Sequence, residues 1–75
     1  MKDILEYIVK ALVVNKDKVT IKEEKEGNFI RYEVTVDRND FGKVIGHEGK
    51  IAKSIRTLMG AIATVKDVKV TIDIR

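Results

Sequence analysis

Apolar residues recur three and four positions apart in the opening stretch, at Ile4, Leu5, Ile8, Val9, Leu12 and Val13. That spacing predicts an amphipathic helix over residues 3 to 14, with Asp3 placed to cap its first turn and the polar Asn15 to Asp17 ending it. The period then changes to two. Val19 and Ile21 alternate with Thr20 and Lys22, and the polar stretch EEKEGN at residues 23 to 28 brings Gly27 and Asn28 to a tight turn. Ile30, Tyr32, Val34 and Val36 next alternate with Phe29, Arg31, Glu33, Thr35 and Asp37, which predicts a strand with one buried side, paired to the first as a hairpin. A last strand follows the same rule, Val68, Val70, Ile72 and Ile74 alternating with Lys69, Thr71, Asp73 and Arg75.

Two helical pieces separate the second and third strands. Asn39 or Asp40 is placed to cap a short one containing Phe41, Val44 and Ile45, which Gly46 stops; Gly49 opens a longer one running to about Thr64. The order α-β-β-α-α-β predicts an α+β fold in a single domain, residues 1–75: a three-stranded mixed sheet with helices packed on one face, as strands with one apolar side require.

Composition narrows the function classes. A chain of 75 residues buries only about 60% of its unfolded surface, which leaves no room for a second lobe or a deep substrate cavity. No cysteine is present and His47 is the lone histidine, so neither a disulfide framework nor a thiolate or all-histidine metal site is expected, and no cofactor. No long apolar run exists, so neither a membrane span nor a signal peptide is expected; a soluble, cytoplasmic protein is.

The net charge of +3 is concentrated in one place. Lys43, Lys50, Lys53 and Arg56 stand against Glu48 alone, and the remaining charges balance. Such a patch fits a polyanionic partner, nucleic acid before a lipid surface because no strongly basic amphipathic stretch accompanies it; a solvated helix face is the plain alternative.

Gly46-His47-Glu48-Gly49 lies inside that patch, between the two helices. Missing Cβ atoms permit unusual backbone angles and close approach, and the following helix start directs N–H groups and partial positive charge outward, with Lys50 and Lys53 beside it. A phosphodiester crossing the turn meets both kinds of donor. Other glycine motifs fail by counting: Val44 and Ile51 stand where a Walker A loop needs Gly and Ser or Thr, and the glycines at 42, 46 and 49 miss the G-x-G-x-x-G spacing. A helix-turn-helix reader is a closer rival, disfavoured by the flanking strands and the apolar second helix.

Val44-Ile45-Gly46-His47-Glu48-Gly49-Lys50, followed by Ile55-Arg56, resembles the V-I-G-x-x-G core of KH domains, in which the G-x-x-G loop clamps four nucleotides of a single strand. The element order resembles the type II KH topology, and the length and order together are similar to the KhpA family of single-domain bacterial KH proteins. The resemblance implies a single-stranded RNA-binding protein that acts as a post-transcriptional regulator or RNA chaperone. Gly46, His47, Glu48 and Gly49 become the backbone clamp, with Lys43, Lys50, Lys53 and Arg56 as phosphate contacts and Val44, Ile45 and Ile55 as floor of the base groove or plain core. The chain departs from the family pattern at Glu48, a carboxylate where phosphate should lie, and at the small Ala52. His47 can add charge below neutrality, or stand as an exposed loop residue with no role. Neutralising about three phosphates on a single strand gives a log–log salt slope of roughly −2.

On a helical wheel, Ala52, Ile55, Met59, Ile62 and Ala63 share an arc with Ile51, Leu58 and Ala61 beside it, about 200° wide and broader than a one-sided helix needs. The resemblance implies self-association through this helix and pairing with a larger KH-containing protein of the KhpB (Jag/EloR) type. A dimer surface around Ser54, Leu58 and Ala61 is expected, unless the first helix covers them. A KH-like protein-interaction module with little RNA binding is the alternative function. Catalysis is not expected, since no Ser/His/Asp or Cys/His set exists and the carboxylates read as solvated strand faces and turn.

Overall fold

The computed structural model describes all 75 residues. Helix α1 (Lys2–Leu12) buries Leu5 and Val9 fully, the expected stripe. It starts and stops earlier than the periodicity predicts. Met1 occupies the N-cap position without a side-chain bond, which leaves Asp3 inside the first turn, where its charge favours the helix dipole rather than capping it. At the other end Val13 is already extended.

The early stop has a specific cause. The backbone N–H groups of Val14 and Asn15 donate to the Asp40 carboxylate at 3.2 and 2.9 Å, and the Asn15 side-chain amide donates to it at 3.1 Å. Groups that would otherwise extend α1 are spent on a residue twenty-five positions away in sequence. Asp40 is therefore not the helix cap expected of it: it makes no capping bond to its own helix, and Asp37 instead accepts from Asn39 N–H to close the turn at Arg38–Asp40. Asp40 is buried, the one charged residue in the core, and it pins the end of α1 to the start of α2 (Phe41–Ile45).

Strands β1 (Thr20–Glu26) and β2 (Phe29–Thr35) form the antiparallel hairpin, and β3 (Lys69–Ile74) lies parallel to β2, giving the sheet order β1-β2-β3. The EEKE residues expected in the turn belong to β1. Glu23 pairs with Tyr32 and Lys25 with Ile30, so the ladder continues to Glu26 and only Gly27 and Asn28 turn. The Tyr32 hydroxyl donates to Glu23 at 2.7 Å, and burial followed by that bond holds the phenol well above the usual tyrosine range.

Helix α3 (Lys50–Val65) packs Ala52, Ile55, Met59 and Ala63 onto the sheet. Its C-terminus is closed by Asp67 at φ 56°, with Val68 N–H donating to Ala63 carbonyl and Asp67 N–H to Thr64 carbonyl, a left-handed stop made by a residue other than glycine. One core unites α1, α2, α3 and the inner sheet face: Leu5, Val9, Ile30, Tyr32, Val34, Val44, Ile55, Met59 and Ile72 are all buried. The outer face is charged, with Arg31 paired to Asp73 at 2.9 Å and Arg75 to Glu33 at 3.1 Å. No helix is long and apolar enough to cross a membrane.

The Asn15 backbone N–H, then Val14 N–H, the Asn15 amide and Lys43, hold the Asp40 carboxyl below the ordinary aspartate range against the opposing effect of burial. A folded-state pKa lowered in this way stabilises the protein above the unfolded aspartate value, and the contribution vanishes as pH falls through the lowered value. Asp40→Asn is expected to lower the thermal midpoint near neutral pH, and the gap from wild type should narrow as the pH falls below the ordinary aspartate range and through the lowered value. A gap independent of pH would refute the clamp.

Candidate nucleic-acid interface

Between α2 and α3 the chain makes a single 3-10 turn, His47–Gly49. Three of the four loop residues have positive φ: Gly46 at 79°, Glu48 at 56° and Gly49 at 75°. Gly46 N–H closes α2 by donating to Gly42 carbonyl at 2.8 Å, and Gly49 N–H donates to Gly46 carbonyl at 3.1 Å. The two glycines are required for different reasons. A Cβ on Gly46 would lie 2.5 Å from Ile51 Cγ1 and 2.9 Å from the Ile51 backbone nitrogen, whereas one on Gly49 would meet open space. Gly46 is thus demanded by packing as well as by backbone angle, Gly49 by angle alone.

Glu48 adopts the left-handed conformation without being glycine, and its carboxylate contacts the exposed His47 Nε2 at 3.3 Å. The turn therefore presents one fixed anion and one imidazole, not a bare cationic loop. Cations surround it. Lys50 and Lys53 are exposed on the first turn of α3 and form no ion pair, and no side chain caps that helix start. Lys43 lies 3.6 Å from the Asp40 carboxylate at the N-terminal end of α2, away from the turn, and that carboxylate offsets part of its charge.

Three sequence-predicted residues occupy different surroundings. Val44 is wholly enclosed and Ile55 nearly so, both in the core, so neither offers surface to a ligand; Ile45 is half-buried. Their contribution is to fix α2 and α3 against the sheet. Arg56 stands apart from the turn, about 9 Å along α3 from Lys50, and its Nε donates to the Ile72 carbonyl at 3.2 Å. Arg56 with Val70, Thr71 and Ile72 lines a groove of about 210 Å³ between α3 and the unpaired edge of β3.

Ser54, Leu58 and Ala61 are exposed together with Thr57 and Lys53, around a shallow depression on the outer face of α3. Leu58 retains 47% of its surface, so α1 does not cover this stripe. The Ser54 hydroxyl is turned back onto the Lys50 carbonyl at 2.9 Å. Two features escaped sequence reasoning: Ile51 as the side chain that fills the space beside Gly46, for which its apolar character two residues past the turn was the available signal, and the Asp40–Lys43 pair, for which the three-residue spacing of opposite charges was the signal.

Residues 2–74 match the model of the KhpA/KhpB KH domain. The chain belongs to this KH-domain family. Among curated relatives, RNA-binding protein KhpA of Chlamydia trachomatis is 47% identical over 74 residues, covering 99% of this chain and 95% of that one. RNA-binding protein KhpA of Halalkalibacterium halodurans is 39% identical and that of Listeria monocytogenes 38%, each match covering 99% of this chain and 97% of the relative. No solved structure matches the chain significantly. A KH-domain family is one of RNA-binding proteins and not of enzymes.

Within this family member the turn's geometry makes a sharp stability prediction. Gly46→Ala must displace Ile51 as well as strain the backbone and should cost about 3 kcal/mol, while Gly49→Ala bears only the left-handed penalty of about 1 kcal/mol. Urea unfolding of the two variants tests this; equal losses would show that the Gly46–Ile51 contact is not the constraint.

Proposed function

We propose that this protein binds single-stranded RNA without catalysis, the Gly46–Gly49 turn holding the sugar-phosphate backbone while the groove between α3 and β3 receives bases. The observation that carries this reading is the coincidence of an uncapped helix start, two unpaired lysines and a left-handed glycine turn at one end of α3. Phosphate approaching there meets N–H donors and ammonium groups at once. Family membership supports it, and the relatives are themselves RNA-binding proteins. In this reading residues 1–75 act as one KH domain in the cytoplasm, with Lys43, His47, Glu48, Lys50 and Lys53 around the backbone and a role as post-transcriptional regulator or RNA chaperone.

Glu48 tempers the grip. Its carboxylate opposes phosphate, so binding is weak, and Glu48→Lys should tighten it while steepening the log–log salt slope by about 0.7 from a wild-type value near −2. Lys50→Ala and Lys53→Ala should each flatten the slope by a similar amount. Gly49→Asp is the better loop variant, because it adds a carboxylate where there is space, and should abolish binding in a folded protein. RNA binding that ignores salt and all four substitutions contradicts the proposal.

The uncovered Leu58 favours a second surface. Ser54, Leu58 and Ala61 form the contact between two copies, or between this chain and a KhpB-like partner, and a protein-interaction module with little RNA affinity is the competing function that this surface alone supports. Leu58→Glu should halve the sedimenting mass while leaving the fold intact; an unchanged mass removes the dimer.

A further inference from the structure

The chain holds a single histidine and no cysteine, so His47 is the one side chain of a kind that ordinarily changes charge between about pH 5 and 8. It stands inside the turn. Its imidazole is 87% exposed, and Nε2 lies 3.3 Å from the Oε1 of Glu48, itself 70% exposed. The two side chains occupy both variable positions between Gly46 and Gly49, with Glu48 in the left-handed conformation. The other charged groups at this end are lysines, an arginine and an aspartate, kinds that ordinarily titrate outside that range. Lys50 and Lys53 rise from α3 without ion pairs, Lys43 on α2 neighbours Asp40, and Arg56 donates to the Ile72 carbonyl. No ion pair joins His47 to α1 or to the sheet.

We infer that the turn's grip on RNA is pH-dependent, tightening as His47 gains its second ring proton. The inference rests on the RNA-binding reading above and adds a means of regulating it. A neutral imidazole carries one N–H donor and one bare nitrogen acceptor, whereas the protonated ring donates from both nitrogens. The Glu48 carboxylate draws a proton to Nε2, the nitrogen it faces. In the neutral ring that leaves Nδ1 as an acceptor, which a phosphate oxygen cannot use, beside an uncompensated carboxylate. In the protonated ring the Nδ1 N–H is free to donate to phosphate while Nε2 stays toward Glu48, and the pair as a whole is neutral. Acid therefore removes a repulsion and adds a donor at one place. Exposed charges act through a high dielectric, so the effect is graded and of several fold.

The test uses the full chain and a single-stranded oligouridine of about eight nucleotides, whose bases do not titrate in this range, carrying a dye insensitive to pH. Fluorescence anisotropy is read at matched ionic strength, with the fold verified by circular dichroism at each pH. Wild type should bind about fivefold tighter at about pH 5.5 than at about pH 7.5. His47→Gln removes an exposed ring and should bind equally at both, within about twofold; it keeps the Met1 α-amino group, which ordinarily titrates near neutrality, as an internal control. By reciprocity, a fivefold effect requires saturating RNA to move the His47 ring-proton titration, followed by NMR, to higher pH by about 0.7. Equal wild-type affinity at both pH values, a pH dependence that survives in His47→Gln, or a ring titration unmoved by RNA overturns the inference while leaving the backbone grip in place. Absence of salt-dependent binding at either pH overturns the grip and the inference together.

Discussion

The approach of Ile51 to Gly46 sets the angle at which α3 leaves the turn, and much else follows from that angle. With Ile51 Cγ1 only 2.5 Å from where a Cβ would sit, the chain at residue 46 admits only hydrogen. This contact lets α2 end and α3 begin within a few residues, which keeps the start of α3 free of a capping side chain and in the open. The same helix then runs back over the sheet, where Ala52, Ile55, Met59 and Ala63 are buried. A turn that exposes its donors and a helix that buries its flank are consequences of one close packing.

Asp40 supplies the second anchor. A buried carboxylate is tolerated here because three N–H groups from Val14 and Asn15 satisfy it and Lys43 lies near. Without it the short α2, only five residues long, would have little to hold it at its N-terminal end. The segment from α2 to the start of α3 is thus fixed from two directions: by the Gly46–Ile51 contact behind the turn and by the Asp40 carboxylate ahead of α2. Charge is arranged on that rigid frame unevenly. Lys50 and Lys53 are free, Lys43 is partly offset by Asp40, Glu48 carries the opposite charge, and Arg56 is turned toward the β3 edge, so the +3 concentrated between Lys43 and Arg56 divides into two unpaired lysines at the helix start and a guanidinium beside β3.

Strand faces were legible in the sequence because the period of two is enforced by burial: Ile30, Tyr32, Val34 and Ile72 are inside as their alternation requires. The G-x-x-G core and the cationic patch were legible because glycine and lysine spacings survive as motifs. Helix ends were not. The stop of α1 depends on Asp40, far along the chain; the stop of α3 uses Asp67 in a conformation ordinarily given to glycine; and the EEKE segment is a strand because it pairs with β2, although nothing apolar marks it. Arg56 illustrates the same limit at the site. Its charge is visible in the sequence, but the bond to Ile72 that redirects it exists only once α3 and β3 are side by side.

The central claim is spatial: one end of α3 and the adjoining edge of β3 meet RNA, and the rest of the surface does not. Titrating isotope-labelled protein with a short single-stranded RNA and following its backbone amide resonances tests that directly. The account predicts shifts confined to Gly42 through Arg56 and to Val70 through Ile72. Shifts centred on α1 or on the charged outer face of the sheet, with Gly46 to Lys50 unmoved, would contradict it.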